Sequence, residues 1–412
     1  MKMWIGITFC CLLFAQTGAQ AETVVAENYF FYDEPTAKKS DDFAPVWMNY
    51  GKGAKLYVLA FERQVKTTGA RELWALVADP VNPGKEFAGK ITGARGGVSL
   101  GALRSGGRSK QFFSGYLSWA PEGAGRMVFI EKNTIKLGQL DLNVGTVQSK
   151  AWIDLEGKNN FRTDWSVDGK IVFVSELSGQ GDLYVARAPS ELPVSSIGRS
   201  SLKQLTKSDF LDTDPAWSPD GKQLVYTAEP QGHKDIFLLD NVDKLMTTGP
   251  VETGKLLVRM ASVDTNPAWS ADGGQIAFYA LEMEEKESDD LFSEGGGEKK
   301  LAETAALYVV NADGSGLKKL ADNVIRREDR GPAWMTQAKL KRKIVYVGLT
   351  TEGTALYVVD AETGTQQRVK VDNRLMSDVA TMPFGEYPLI ALSAHDREGR
   401  KRIYIKVLHF MR

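Results

Sequence analysis

A short motif, in which a tryptophan is followed by a tight turn and an apolar strand, limits how this chain can fold more than any other part of its sequence. Residues 214–226 read DPAWSPDGKQLVY, and residues 266–278 repeat them closely as NPAWSADGGQIAF. A more distant copy, TDWSVDGKIVF, spans residues 163–173. The Asp-Gly pair suits a tight turn because glycine adopts positive φ without steric cost. A unit of this size cannot bury its tryptophan alone, so the copies must pack against one another.

The copies recur along the chain at a regular spacing. Trp217 lies 52 residues after Trp165 and 52 residues before Trp269. The other anchors of the motif are Trp47, Trp119, Trp334 and, with methionine in place of tryptophan, Met382. A period near fifty residues that contains only strand signals is typical of a β-propeller with about four strands in each blade.

Further strand signals after each motif complete such a blade. DLYVA at 182–186 and ALYVV at 306–310 are typical third strands, and KQLT at 203–206 is a typical short fourth strand. The last copy stops after its third strand, whereas residues 22–32 form a strand signal that belongs to no copy. Pairing these two ends removes a free sheet edge. We therefore predict an all-β, seven-bladed β-propeller that is closed by its N-terminal strand, with six blades as the alternative.

The Trp-Ser-Pro-Asp-Gly turn, the Leu-Tyr-Val-Val strand and the Lys-Gln-Leu-Thr strand resemble TolB-type, WD40-like propeller repeats. The resemblance covers residues 43–410 and is closest over 163–321. It implies a propeller that serves as a docking surface, although propellers carry many different activities. It does not extend to the separate α/β domain that precedes the propeller in TolB.

The first 21 residues have the pattern of a cleaved secretory signal. Lys2 is followed by an apolar segment and by the small residues Ala19 and Ala21 around the expected cleavage site. The apolar segment is shorter than a membrane-spanning helix requires. We therefore predict a signal peptide at 1–21 and a single propeller domain at 22–412, located in the periplasm or secreted, with no transmembrane segment after cleavage.

Composition excludes several classes of function for the mature chain. Both cysteines, Cys10 and Cys11, lie in the signal segment, so thiol catalysis and thiolate metal sites are not expected. Removing Lys2 reduces the 51 Lys and Arg to 50, against 52 Asp and Glu, which leaves a net charge of −2. A chain so close to neutral has no general electrostatic attraction for nucleic acid, and we predict no nucleic-acid partner.

Two segments stand apart from the repeats. Residues 85–110 are rich in glycine, serine and arginine and read as a flexible basic loop, either solvated or in contact with a partner or glycan. Residues 281–303 form an acidic insertion between the second and third strands of a blade. This insertion reads as a surface loop, with contact to a basic partner as the alternative.

The candidate site consists of polar residues just before each tryptophan strand, because this segment of a blade runs beside the central axis. Asp or Arg recurs there in the segments 41–42, 162–164, 212–214, 264–266, 327–330 and 377–378. The candidate residues of this channel mouth are Asp42, Arg162, Asp164, Asp212, Asp214, Asp264, Asn266, Arg330 and Asp378.

Two interpretations of these residues stay open. Asp and Thr side chains can cap turns and accept bonds from backbone amides, which would make them structural. Alternatively, they form a polar tunnel that binds a cation such as calcium, a small polar ligand or a peptide of a partner protein. No cofactor is expected beyond such a cation.

The function that we predict is a monomeric protein-binding scaffold whose partner is another envelope or secreted protein. The three histidines, His233, His395 and His409, lie in separate parts of the repeat array, so no histidine cluster for catalysis is expected. One alternative is an enzyme that acts on carbohydrate or peptide through tunnel carboxylates. A second alternative is a propeller that binds a small ligand or a metal.

Overall fold

A computed structural model describes most of the chain. The described residues are 23–31, 40–48, 57–67, 71–78, 98–99, 113–123, 125–131, 133–141, 146–155, 158–190, 196–230, 232–285, 299–301, 304–327, 330–372, 374–383 and 388–411. The predicted signal peptide at 1–21 lies outside them, as does the predicted loop at 85–110 except for Val98–Ser99.

The described residues of the N-terminal half form antiparallel strands. The N-terminal strand is β1 (Thr23–Phe31). Blade one contains β2 (Ser40–Trp47), β3 (Tyr57–Val65), β4 (Arg71–Ala78) and β5 (Val98–Ser99). Blade two contains β6 (Phe113–Trp119), β7 (Arg126–Glu131), β8 (Thr134–Asp141) and β9 (Thr146–Ile153).

The next two blades contain the clearest copies of the tryptophan motif. Blade three contains β10 (Asn160–Trp165), β11 (Lys170–Ser175), β12 (Asp182–Arg187) and β13 (Lys203–Gln204), with a short 3-10 helix at Arg199–Ser201. Blade four contains β14 (Asp212–Trp217), β15 (Leu224–Ala228), β16 (Asp235–Leu239) and β17 (Lys255–Val258), with the helix α1 (Val242–Thr248) before β17.

An eight-stranded sheet, called here the fused sheet, contains two copies of the motif. Its strands are β18 (Val263–Trp269), β19 (Gln275–Leu281), β22 (Ala305–Asn311), β23 (Lys318–Val324), β24 (Ala333–Trp334), β25 (Lys343–Thr350), β26 (Gly353–Asp360) and β27 (Gln366–Arg368). In the predicted acidic insertion, β20 (Met283–Glu285) pairs with β21 (Lys299–Leu301), and residues 286–298 lie outside the described part.

The closing blade joins the two ends of the chain. It contains β28 (Arg374–Thr381), β29 (Leu389–His395) and β30 (Lys401–Met411), with β1 as its fourth strand beside β30. The pairing runs antiparallel from Thr23 opposite Met411 to Phe31 opposite Tyr404. The N-terminal strand therefore supplies the strand that the C-terminal copy lacks, as the sequence predicts.

The fold is an all-β propeller, but the predicted number of blades is wrong. The described residues form five four-stranded blades, not seven or six, together with the fused sheet. The sheet is continuous because β23 runs on far enough to place Val324 opposite Gly348 of β25. The amide of Ile325 then donates to the carbonyl of Val347 at 2.8 Å. Sequence periodicity locates the copies of the motif, whereas these backbone bonds join two of them into one sheet.

The hydrophobic core lies between neighbouring sheets. Val172 of blade three packs with Trp217 and Tyr226 of blade four in one buried cluster. Trp47 of blade one packs with Ile405 of the closing blade in another. These two motifs thus bury their tryptophans against a neighbouring sheet, which is why a single copy could not fold alone.

Several tryptophans also bond to the backbone of the preceding sheet. The indole Nε1 of Trp47 donates to the carbonyl of Ala380 at 3.1 Å, and that of Trp269 donates to Ala216 at 3.1 Å. Because a buried indole N–H needs an acceptor, these bonds set the distance between inner strands and shape the wall of the central cavity.

Candidate functional site

The inner strands bend three residues before their tryptophan. At this position Ala44, Arg162, Asp214 and Asn266 have left-handed backbone conformations with φ between 51° and 53°. The pairing registers of β2, β10, β14 and β18 shift at the same place, as in a β-bulge. Asp and Asn tolerate positive φ better than most residues, which suits them to the bulge.

The bulges surround a central cavity of about 350 Å³. Its wall comes from inner strands of blades one, three and four, the fused sheet and the closing blade. Its charged and amide side chains are Arg162, Asp164, Asp214, Asn266, Arg327 and Arg330. Its apolar walls include Pro45, Pro215, Pro267, Pro332, Trp47, Trp269 and Trp334. The cavity is therefore a polar pocket with rigid proline and aromatic sides.

An ion pair in the cavity wall connects blades three and four. Arg162 Nε lies 2.9 Å from Asp214 Oδ1, and the side chain of Asp214 is only 4% exposed. The other oxygen of Asp214 accepts a bond from Thr265 Oγ1 of the fused sheet at 3.0 Å. Asp214 thus connects three consecutive inner strands through contacts with its two carboxylate oxygens.

Asp164 makes a similar set of contacts in the next part of the wall. Its carboxylate accepts bonds from the backbone amide of Trp217 at 3.0 Å and from Ser118 Oγ at 3.1 Å. Burial raises the pKa of Asp164, and these bonds together with the charge of Arg330 oppose the rise. The carboxyl of Asp164 therefore holds blades two, three and four together while it faces the cavity.

Two arginines reach across the cavity to backbone carbonyls. Arg327 donates to the carbonyls of Val379 and Pro45 at 3.2 Å each, so it spans the closing blade and blade one. Arg330 donates to the carbonyl of Leu117 in blade two. Arg327 belongs to a polar segment that the sequence indicated, but it was not among the candidate residues. The sequence could not place Arg327 beside the cavity, because its position depends on contacts with blade one and the closing blade.

Five of the nine candidate residues line the cavity, namely Arg162, Asp164, Asp214, Asn266 and Arg330. The other four, Asp42, Asp212, Asp264 and Asp378, are not among its lining residues. Asp42, Asp212 and Asp264 lie five residues before their tryptophans and two residues before the bulge. The bulge interrupts the strand alternation, so these side chains are directed between sheets and not into the cavity.

Asp42 is buried between two arginines. Arg63 donates to its two oxygens at 2.7 and 3.0 Å, and Arg402 of β30 lies 3.8 Å away. Burial raises the pKa of the Asp42 carboxyl, and the charges of both arginines oppose this effect. Asp42 therefore belongs to the junction of blade one with the closing blade.

Asp212 and Asp264 are also buried, and both have strongly shifted acidity. Burial raises the pKa of Asp212 to about 7, and it raises the pKa of Asp264 to about 7. A neighbouring carboxyl contributes to each rise, Asp182 for Asp212 and Asp235 for Asp264. Asp378 Oδ2 accepts a bond from Ser377 Oγ at 3.0 Å in β28.

Neither a metal site nor a membrane-spanning helix is found among the described residues. They contain no group of three or more His, Cys, Asp or Glu side chains arranged to hold a metal ion. None of the described helices is long and apolar enough to cross a membrane. The cation in the channel therefore stays a prediction from the sequence.

Known proteins resemble this chain in sequence and in fold. No protein-family profile matches it. A curated TolB homologue from Chlorobium luteolum is 24% identical over 194 residues, which are 47% of this chain and 35% of the relative. The chain thus matches only about a third of that relative's length.

The solved structures of two enzymes share the fold. Puromycin hydrolase aligns with a TM-score of 0.56 and 14% identity over 92% of this chain and 56% of its own. An oligogalacturonate lyase bound to manganese aligns with a TM-score of 0.50 and 12% identity over 90% of this chain and 98% of its own. At these identities the likeness concerns the propeller architecture alone.

Proposed function

We propose that this TolB-like β-propeller protein is an exported scaffold of the cell envelope, which binds a segment of a partner protein at its central cavity. Export is supported by the signal pattern of residues 1–21. The scaffold role is supported by the TolB-like repeats and by a cavity whose acidic side chains are engaged in contacts between blades. The protein acts as a monomer in the periplasm or outside the cell.

The main support for this proposal is that the carboxylates in the cavity wall already have bonding partners from neighbouring blades. Asp214 is paired with Arg162 and bonded by Thr265, and Asp164 accepts two bonds from neighbouring blades. Groups held in this way are rigid and directional, which favours recognition over proton transfer. A cavity of about 350 Å³ is near the lower end of ligand pockets, which span roughly 300–1,000 Å³. It suits a few residues of an extended peptide.

An enzyme is the second candidate, and Asp164 is the observation that favours it. A buried carboxyl with a raised pKa, beside a cavity, is the type of group that donates a proton in carbohydrate or peptide cleavage. Asp214, which lies 2.9 Å from Arg162 in the same wall, would be its partner carboxyl. Binding of a small polar ligand or of a cation in the same cavity is a third possibility.

Affinity capture with residues 22–412 tests the scaffold proposal. Envelope proteins retained by the wild type are identified by mass spectrometry, and the affinity of each purified partner is measured by calorimetry. Asp214→Asn removes a charge from the cavity wall, and Asp378→Asn is the matched control away from it. We expect Asp214→Asn to weaken binding at least about tenfold, as for loss of a buried charge contact, and Asp378→Asn to leave it unchanged.

Three results would argue against the scaffold. Equal binding by both variants would place the interface away from the cavity. Capture of no partner by the folded wild type would remove the main support for a docking role. Turnover of a glycan or peptide that disappears in Asp164→Asn would favour the enzyme, provided that circular dichroism shows the variant to be folded.

A further inference from the structure

The boundary between blades three and four contains a pair of aspartates. Asp182 is the first residue of β12, and Asp212 is the first residue of β14. The amide of Asp212 donates to the carbonyl of Gly181 at 2.9 Å, which places the two acids side by side. Ser208 Oγ lies 3.5 Å from Asp182 Oδ1 and 3.3 Å from Asp212 Oδ2, so one hydroxyl contacts both carboxyls.

The boundary between blade four and the fused sheet repeats this arrangement. Asp235 is the first residue of β16, and the amide of Asp264 in β18 donates to the carbonyl of Lys234 at 2.9 Å. Ser262 Oγ donates to Asp264 Oδ1 at 2.7 Å. Arg259 Nε lies 2.9 Å from Asp235 Oδ2, and the Arg259 side chain is 48% exposed. Blade four therefore has one acid pair on each side.

The junction of the closing blade with blade one shows that this fold does not require two acids there. Asp42 occupies the position equivalent to Asp212 and Asp264, five residues before the tryptophan of its motif. Its neighbour across the boundary is Arg402, two residues before Tyr404, as Asp182 is two residues before Tyr184. That boundary is thus closed by an acid and a base, whereas those of blade four bring two acids together.

Asp212 and Asp264 have little to compensate their charge. Asp212 and Asp264 are fully buried, and Asp235 is 2% exposed. In the described part of the chain, one oxygen of each has no hydrogen-bond partner, namely Oδ1 of Asp212 and of Asp235 and Oδ2 of Asp264. Among the described residues no basic side chain pairs with Asp212 or Asp264. A buried, uncompensated carboxylate is costly, and it binds a proton instead when a second carboxylate lies beside it.

We propose that Asp212 and Asp264, each beside a second buried carboxyl, are two proton-binding sites, and that loss of their protons loosens both boundaries of blade four. Each proton removes one negative charge from its boundary. Without it, two buried carboxylates repel each other across the junction. Blade four then becomes the part of the propeller that responds to pH.

The pKa values of Asp212 and Asp264 determine whether the stability of the fold rises or falls with pH. The carboxyls of Asp212 and Asp264 have pKa values of about 7, whereas an unfolded aspartate has a pKa of about 3.9. The folded state therefore binds these protons more tightly, and their stabilising effect is complete below about pH 4 and is lost as the pH rises through 7. The other titratable neighbour of Asp212 is Tyr226, whose raised pKa keeps the phenol neutral throughout this range.

The proton sites are coupled to the cavity through the chain itself. Asp212 lies two residues before Asp214, and Asp264 lies two residues before Asn266, within the same inner strands. Both cavity residues occupy the left-handed bulge. Movement at either boundary of blade four therefore displaces the wall of the cavity. This inference concerns the fold and does not depend on what the cavity binds.

Thermal unfolding of residues 22–412 at pH 6 and pH 8 tests the proposal. For two sites with pKa near 7, we expect the wild-type midpoint to fall by roughly 3–6 °C between these pH values. Asp212→Asn/Asp264→Asn, which mimics the protonated state, should lose most of this difference. Asp220→Asn is the matched control, because Asp220 lies in an exposed turn and its pKa is lowered. It should respond to pH as the wild type does.

Hydrogen exchange of the wild type supplies a second measurement that needs no variant. After correction for intrinsic rates, amides of β14 and β18 should lose protection at pH 8 relative to those of β7 in blade two. An equal pH response in the wild type and the double variant, or unchanged protection in β14 and β18, would overturn the proposal. So would restoration of the wild-type midpoint at pH 8 by millimolar calcium, since this would show that the pairs hold a cation.

Discussion

Single residues at the bulge of the inner strands decide what the cavity contains. Counted from the tryptophan, Arg162 occupies the place of Asp214 and Asn266, whereas Asp164 occupies the place of Ala216. The similar strings RTD and DTD suggest a different match, in which Asp164 and Asp214 correspond. The structure supports the alignment that is counted from the tryptophan, because the residues with left-handed backbone conformations are Arg162, Asp214 and Asn266. Equivalent cavity positions therefore carry opposite charges, which allows Arg162 to pair with Asp214.

Ala44 offers a test of the strain at this position. Its φ of 51° costs an alanine roughly 1–2 kcal/mol, and glycine avoids this cost. Glycine also raises the conformational entropy of the unfolded chain, which offsets part of this gain. Ala44→Gly should therefore raise the free energy of unfolding, measured by urea denaturation, by about 0.5–1 kcal/mol. Ala216→Gly is the control, since Ala216 has no positive φ, and it should lower the free energy. Destabilisation by both changes would contradict the argument.

At the scale of strands, the close approach of neighbouring inner strands shapes the cavity wall. A Cβ atom on Gly331 would lie 2.4 Å from the carbonyl oxygen of Asn266 and 2.7 Å from the Cβ of Ala268. Trp334 Nε1 donates to the carbonyl of Ala268 at 3.0 Å beside it. Glycine is therefore required where β24 meets β18, although the sequence shows only a Gly-Pro pair before a tryptophan.

Gly331→Ala should separate these two strands. Because the atoms in the way are backbone and a neighbouring Cβ, we expect a loss of about 1–3 kcal/mol in the free energy of unfolding, measured by chemical denaturation. Gly198→Ala is the control, since nothing lies within 4 Å of the added Cβ. Its stability should change by less than about 1 kcal/mol. Similar effects of the two substitutions would show that the contact at Gly331 can relax.

For the molecule as a whole, closure of the ring depends on β1. This strand pairs with β30, and the amide of Ala26 also donates to the carbonyl of Lys370 at 2.9 Å. The first strand thus connects the closing blade to the fused sheet. Without it, β30 would present a free edge that could pair with another molecule.

Ala26→Pro should open this closure. Proline removes the bond to Lys370 and fits poorly into a paired strand, so we expect a loss of about 1–4 kcal/mol together with self-association that increases with concentration. Differential scanning calorimetry and size-exclusion chromatography with light scattering measure the two effects. Lys370→Ala keeps the backbone bonds and should behave as the wild type. A stable, monomeric Ala26→Pro protein would show that closure does not need β1.

The all-β propeller, the tryptophan strands and the closing role of the N-terminal strand could all be predicted from the sequence. These follow from local patterns, because alternation and turn residues act within one blade. It also indicated the polar segments that contain Arg162, Asp214 and Arg330. Three features could not be predicted: two copies share one sheet, Asp212 and Asp264 lie at blade boundaries, and Arg327 lines the cavity. Those outcomes depend on how separate strands meet, since one bulge redirects side chains and one extended strand joins two sheets.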